Sequence, residues 1–137
     1  MLTQHQFIES FTIVHLQNFL DNYPFRISPT QQKICFPRFR RIACLMSDNI
    51  VFPPIKFCDD NIIDGHHRYL AACFLNCISD FQITNCSFSM LVYEWPKIAI
   101  DENDWELTIE VKKNWKKLAE FNNMNLAQFL HLYEYLL

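Results

Sequence analysis

The sequence predicts a small domain of the mixed α+β class, in which one helix packs on a short mixed sheet and further helices flank both ends. Three observations lead to this prediction. Short runs with strand-like alternation are interspersed with longer runs at helical spacing. Half of the 137 residues are hydrophobic, and that length fits one domain with one core. The only glycine, Gly65, separates an apolar strand end from an apolar helix, as a tight strand-to-helix turn requires.

The N-terminal elements follow from helical spacing and from proline. Apolar side chains recur at helical intervals over residues 4–20, until Asp21-Asn22-Tyr23-Pro24 ends the pattern, which predicts an amphipathic helix. Residues 25–27 are expected to be extended. A second helix is predicted to begin near Pro37, because a first helical turn tolerates proline, and to end near Ser47.

Central and C-terminal elements follow from the same patterns. Alternation predicts a strand over residues 55–57, Asp59-Asp60-Asn61 is a turn sequence, and residues 62–63 resume extended structure. Beyond these we predict a helix over 65–76, strands over 81–84 and 88–93, and helices over about 103–120 and 124–136. The apolar faces of the last two helices are expected at Trp105, Ile109, Trp115 and Leu118, and at Leu126, Phe129, Leu130 and Tyr133.

The chain shows no repeat, low-complexity tract or evident linker, so residues 1–137 are predicted to form a single domain. Residues 96–104 are the one plausible soft boundary. It would separate an N-terminal helix (1–22) and a central core (23–95) from a C-terminal helical pair (96–137).

Charge and cysteine usage narrow the class of protein. The net charge of −3 and the pI near 5.9 argue against a nucleic-acid partner, because duplex-binding domains usually carry a basic excess. Most of the six cysteines lie in apolar runs, where free cysteine behaves as a small buried side chain. No secretory signal and no run of roughly 20 apolar residues is evident. We therefore expect a reduced, cytoplasmic protein without membrane contact.

The motif that carries chemistry is Asp64-Gly65-His66-His67-Arg68, at the predicted start of a helix. Asp64 is expected to cap the helix N-terminus. The unpaired N–H groups of a first helical turn attract anions, and the guanidinium of Arg68 adds a fork suited to phosphate. His66 and His67 supply two groups that can carry protons near neutral pH. Each residue alone has a structural explanation, but their grouping in five positions favours an anion site.

The same residues resemble a known family. The segment 62–72, Ile-Ile-Asp-Gly-His-His-Arg-Tyr-Leu-Ala-Ala, is similar to the signature turn and helix of the ParB/sulfiredoxin superfamily. Residues 27–31 resemble the strand-and-proline opening of those domains, and residues 53–57 resemble the strand before their glycine turn. The resemblance covers about residues 25–93 and implies a ParB/sulfiredoxin-like domain.

The resemblance implies nucleotide binding, with ATP, ADP or CTP as the ligand and Mg²⁺ as its candidate companion ion. Asp64 resembles the acidic residue that some kinase-like members use for proton abstraction or metal contact. The small kinase-like members are the closest in character. The positions that would contact phosphate by this resemblance are Gly65, His66, His67 and Arg68. Apart from the resemblance, the segment 38–41, Arg-Phe-Arg-Arg, puts three guanidinium groups on one helical turn. Two interpretations of it stay open: Arg38 or Arg41 faces the same phosphates as Arg68, or the three form a solvated helix face.

Departures from the family's pattern exclude some of the activities that the resemblance implies. Sulfiredoxins carry their nucleophilic cysteine where this chain has His66, which argues against sulfinic-acid repair. ParB clamps continue into a DNA-binding helix-turn-helix region that the predicted elements lack. Their second phosphate-contacting box is represented at best by Arg38, Arg40 and Arg41, without a glycine.

Three functional hypotheses follow. The first is a nucleotide-dependent enzyme, either a kinase that transfers phosphate to a small molecule or a nucleotide hydrolase, with Asp64, His66, His67 and Arg68 as catalytic residues. The second is a non-catalytic interaction module of the antitoxin or immunity type, which would dock a protein partner or a second copy through the C-terminal helices. The third and weakest is a ParB-like nuclease or DNA-associated protein.

No metal-binding side-chain cluster is predicted. Cys73 and Cys77 have the i, i+4 spacing that could present two thiolates to zinc, but no second pair of ligands accompanies them. Asp59 and Asp60 are explained by turn chemistry.

Overall fold

The computed structural model describes residues 6, 8, 10–77, 81–84 and 91–137, and within them five helices and five short strands have defined bounds. This arrangement confirms the mixed α+β class. The helices are α1 (Ile13–Asn22), α2 (Phe36–Ser47), α3 (His66–Leu75), α4 (Thr108–Phe121) and α5 (Leu126–Tyr133). The strands are β1 (Lys33–Cys35), β2 (Ile55–Cys58), β3 (Asn61–Asp64), β4 (Phe81–Ile83) and β5 (Ala99–Asp101), and short 3-10 turns span Trp95–Lys97 and Glu134–Leu136. None of the described helices is long and apolar enough to cross a membrane.

The larger sheet has the order β3-β2-β4. Strands β2 and β3 form an antiparallel hairpin, and β4 runs parallel to β2, so the sheet is mixed as predicted. The hairpin turns at Asp59 and Asp60, whose φ angles of 48° and 64° lie in the left-handed region that short aspartate side chains tolerate. This hairpin places Asp64 and Gly65 at the end of β3, directly before α3.

Helix α3 is held in the main hydrophobic core. Its buried residues Tyr69, Leu70 and Ala71 belong to the same cluster as Phe39 of α2 and Ile62 of β3. A helix packed on both a sheet and another helix has little freedom to shift. The N-terminus of α3 is therefore fixed relative to β1, β3 and α2.

The helix predicted over residues 4–20 is interrupted. Gln6 and Ile8 are helical, residues 10–12 are not, and α1 starts at Ile13, where Thr12 and His15 form a reciprocal cap. The backbone N–H of Thr12 donates to Nδ1 of His15, and the N–H of His15 donates to the Thr12 hydroxyl. The buried face of α1 consists of Leu16 and Leu20, whereas Val14 is exposed.

Residues 96–104, named above as the soft boundary, include β5, which pairs in parallel with β1 in the register Ile34↔Ile100. Both strands have three residues, too few to show alternation in the sequence. Of the predicted strand 88–93, residues 91–93 are not a strand, although the N–H of Tyr93 donates to the Pro29 carbonyl. Residues 88–90 lie outside the described part of the chain.

The two C-terminal helices pack on the rest of the molecule. Trp115 of α4 and Phe129 and Tyr133 of α5 form a second core cluster with Leu45 of α2 and with Ile50. The predicted apolar face of α4 is wrong at its N-terminal end, where Ile109 is 74% exposed. Val111 and Ala119 are buried in its place. Two residues expected to dock a partner, Phe129 and Tyr133, are thus covered by this chain itself.

The cysteines differ in part from the prediction of free thiols. Cys35 and Cys44 are free and buried, Cys73 is free and half-buried, and Cys77 is free and exposed. Cys58, at the end of β2, is disulfide-bonded instead. Cys86 lies outside the described residues. The expectation of a fully reduced protein is therefore wrong at Cys58.

Replacing Phe129 with alanine is expected to lower the free energy of unfolding by about 3–5 kcal/mol, because it empties a fully buried site in the second core cluster. Leu132→Ala on the same helix is the matched control: its side chain is exposed, and the expected change is within ~0.5 kcal/mol. Urea denaturation measures both. Equal effects for the two variants would show that α5 does not pack as described.

Candidate functional site

Gly65 makes the turn from β3 into α3. Its backbone has φ +102° and ψ 36°, which L side chains rarely adopt. A Cβ added here would lie 2.8 Å from Nη2 and 3.0 Å from Nε of Arg68. Gly65 therefore satisfies two requirements, a left-handed backbone and room for the Arg68 side chain to cross directly over it.

Asp64 does not cap the helix, contrary to the prediction. Gly65 occupies the N-cap position, and no side chain caps α3. Asp64 ends β3, and its exposed carboxylate accepts a hydrogen bond of 3.1 Å from Nη2 of Arg68. The N-terminus of α3 therefore keeps backbone N–H groups that no side chain satisfies, which is the condition for anion binding.

Arg68 joins α3 to the loop before β2. Its Nη1 donates to the carbonyl oxygen of Pro53 at 2.8 Å, while Nη2 reaches back to Asp64. The guanidinium thus fixes Pro53 and Asp64 on either side of Gly65. A phosphate bound to Arg68 would share it with these partners or replace the Asp64 carboxylate.

His66 is held by the loop that contains Thr30. The ring is only 6% exposed, and its Nε2 accepts the backbone N–H of Thr30 at 2.9 Å. The Thr30 hydroxyl donates to the Ile62 carbonyl at 2.5 Å, which ties the loop to β3. Burial lowers the pKa of His66 to about 4, and the nearby Asp64 charge offsets this in part.

His67 is held by β1. It is 5% exposed, and its Nε2 accepts the backbone N–H of Cys35 at 2.9 Å. The indole of Trp105 meets the imidazole edge-on, with ring centroids 5.5 Å apart. Burial is the main cause that lowers the pKa of His67 to about 3, and the positive charges of Arg38 and Arg41 add to it.

These contacts determine the tautomer of both rings. Because Nε2 accepts a backbone N–H in each case, the single proton of the neutral imidazole is assigned to Nδ1. No described residue accepts that proton, and no fully buried side-chain nitrogen or oxygen of the described residues lacks a partner. Each Nδ1 is therefore accessible, and both histidines line the same cavity. His66 and His67 thus present neutral hydrogen-bond donors, which favours ligand binding over proton transfer as their role.

The cavity has a volume of about 790 Å³. Its lining contains four basic side chains, those of Arg38, Arg41, Arg68 and Lys117, and two acidic ones, those of Asp64 and Glu106. Asp104 pairs with Arg41 from outside the lining, so one positive charge remains in excess, in a chain with a net charge of −3. The cavity is therefore electrostatically suited to an anion.

The two arginines of α2 differ in their availability. Arg41 is buried and forms a two-pronged ion pair with Asp104, and its Nη2 lies 3.3 Å from Glu106. Arg38 is half-exposed, and its Nε lies 3.6 Å from Glu106. Arg41 thus anchors the segment 104–106 over α2, whereas Arg38 keeps donors that can turn to a ligand.

The structure brings the predicted site residues to one cavity. They are Asp64, Gly65, His66, His67, Arg68, Arg38 and Arg41. Sequence reasoning missed Trp105 and the residues of α4 that line the same cavity, because nothing in the local pattern connects them to the motif. Among the residues described, no group of three or more His, Cys, Asp or Glu side chains could hold a metal ion.

Comparison with known proteins identifies no relative. No family model, curated protein or solved structure matches the chain. The resemblance to the ParB/sulfiredoxin superfamily therefore stays a prediction.

The two buried histidines are expected to stay neutral, with the proton on Nδ1, down to about pH 5, as their pKa values of about 4 and about 3 require. Nitrogen-15 NMR of the imidazoles measures both properties, and the exposed ring of His131 is a reference in the same spectra. The unfolded chain protonates these rings near pH 6.5. The contribution of the two rings to the free energy of unfolding should therefore be fully present above that pH and be lost as the pH falls toward 3. A midpoint near 6.5 for either ring would contradict the assignment.

Proposed function

We propose that the cavity binds a nucleotide, with its phosphates at the N-terminus of α3. The observation that carries the proposal is the pair of buried histidines beside that N-terminus, which both line the cavity and whose rings are fixed through Nε2, with Nδ1 assigned as the donor. Neutral donors fixed by the backbone can contact an anion without reorganising. The positive end of the helix dipole favours the same charge.

The charged side chains support a phosphate ligand. Arg38 and Lys117 line the cavity, and Arg38 is only loosely paired with Glu106. Hydrogen bonds from a charged donor to phosphate are about twice as strong as neutral ones. These side chains would therefore add affinity and make binding sensitive to salt.

The size of the cavity supports a ligand larger than phosphate. Its volume of about 790 Å³ lies within the roughly 300–1,000 Å³ typical of small-molecule sites. Together with the ParB/sulfiredoxin resemblance, this favours ATP, ADP or CTP. Mg²⁺ usually binds through one or two carboxylates and the phosphates themselves. The exposed Asp64 carboxylate, next to the proposed phosphate position, is the candidate ligand for it.

Calorimetric titration with ATP, ADP and CTP, each with Mg²⁺, is expected to show binding, and Arg38→Ala should weaken it about tenfold or more, since a bond from a charged donor is lost. Lys97→Ala is the matched control, because it removes the same charge from an exposed side chain paired with Glu94 outside the cavity, and should change nothing. Absence of binding at millimolar nucleotide would contradict the proposal and favour the interaction module.

Phosphoryl transfer is a second candidate, and in it Asp64 would act as the base in place of the Mg²⁺ contact named above. Both histidines have Nε2 occupied by a backbone N–H and a proton on Nδ1, so neither can accept a proton at neutral pH. Asp64 is the remaining residue of the predicted catalytic set that can accept one. The reaction would be transfer to a small-molecule hydroxyl or to water.

If the site turns over, Asp64→Asn should lower the rate of nucleotide consumption by about 10²-fold or more, in line with the usual contribution of a general base. The affinity for ADP without Mg²⁺ should change little. Loss of terminal phosphate, followed by chromatography with and without a panel of small hydroxyl compounds, is the measurement. An unchanged rate in Asp64→Asn would exclude this residue as the base.

A cytoplasmic location is supported by the four free thiols and opposed by the disulfide at Cys58, because cytosolic thiols are normally kept reduced. Because four of the described cysteines are free and one is disulfide-bonded, we propose a cytoplasmic location. A Cys58 disulfide that persists in protein isolated under thiol-blocking conditions would overturn this proposal.

A further inference from the structure

The lining of the cavity includes residues of α4 and of the loop before β2, as well as the start of α3. Asn122 and Val51 clamp these two segments together: the N–H of Val51 donates to Oδ1 of Asn122 at 2.7 Å, and Nδ2 of Asn122 donates to the Val51 carbonyl at 2.8 Å. The clamp brings their chain neighbours, Phe121 and Phe52, to the edge of the cavity. We call these two rings the aromatic rim.

The aromatic rim is connected to the proposed phosphate position. Phe52 is followed by Pro53, whose carbonyl accepts the 2.8 Å hydrogen bond from Arg68. Arg68 in turn crosses over Gly65 at the start of α3. The rings and the start of α3 thus line one cavity of about 790 Å³ and are connected through Pro53 and Arg68.

Both rings of the rim are partly exposed. Phe121 is 50% exposed and Phe52 is half-buried, and both line the cavity. The lining also includes the apolar residues Ile42, Leu45 and Leu118. Lys117, one helical turn before Phe121, lines the cavity as well. Partly exposed aromatic rings in a cavity lined by both apolar and cationic residues suit a flat ring that carries an anionic group.

We propose that the aromatic rim binds the base of the nucleotide by stacking, while its phosphates occupy the N-terminus of α3. This proposal rests on the proposed function and assigns the C-terminal helical pair a part in ligand binding. Stacking does not depend on the hydrogen-bonding edge of the base, so the rim should accept purines and pyrimidines alike. Selectivity among bases would have to come from other lining groups.

The test compares ATP with inorganic tripolyphosphate, which has the three phosphates but no base, in calorimetric titrations at equal Mg²⁺. Wild-type protein should bind ATP at least about tenfold more tightly than tripolyphosphate. Phe121→Ala should weaken ATP binding about tenfold or more, as expected for one lost stacking contact, and leave tripolyphosphate affinity unchanged. Phe121→Trp should retain ATP affinity. Leu132→Ala, exposed on α5 and outside the cavity lining, is the control.

The outcomes separate this proposal from the one on which it rests. If tripolyphosphate binds as tightly as ATP, the aromatic rim does not hold the base and the proposed phosphate site is retained. The same conclusion follows if Phe121→Ala weakens the binding of both ligands equally while its free energy of unfolding stays near that of the wild type. If neither ligand binds to wild-type protein, both proposals are overturned.

Discussion

Two backbone N–H groups, those of Thr30 and Cys35, donate to Nε2 of His66 and His67 and determine the orientation and tautomer of both rings. Each bond fixes a ring orientation and assigns the ring proton to Nδ1. The donors belong to the Thr30 loop and to β1, and the acceptors lie on the first turn of α3. Pairing of β1 with β5 and packing of α3 on α2 and β3 are therefore what bring the donors within reach.

Polar contacts close the cavity on its other sides. The ion pairs of Arg41 hold the segment 104–106 against α2, and Trp105 thereby covers His67. The clamp between Asn122 and Val51 joins α4 to the loop that Arg68 anchors. Most of these bonds connect residues more than 60 positions apart in the chain. The cavity is thus a product of tertiary structure, even though its central motif is local.

The parts predicted correctly from sequence were those with strong local signals. Helix α2 with its proline, the β2–β3 hairpin and α3 all carry their boundaries in neighbouring residues, as does the glycine turn. The three-residue strands β1 and β5 carry no such signal, since their pairing depends on residues 66 positions away. The roles of individual motif residues could not be predicted from the sequence. An aspartate at position 64 suits either a helix cap or an ion pair with Arg68, and the local sequence is the same in both cases.

The neutrality of the two buried histidines has a consequence for how the site would respond to its surroundings. A pocket that binds an anion through histidine cations gains affinity on acidification, because its own side chains become protonated. Here the ring protons stay on Nδ1 across the neutral range. Affinity would then follow the ionisation of the ligand's terminal phosphate, whose second pKa is near 6 for a phosphate ester. The pH dependence of binding would therefore reflect the charge state of the ligand, since the charge of the two histidine rings does not change.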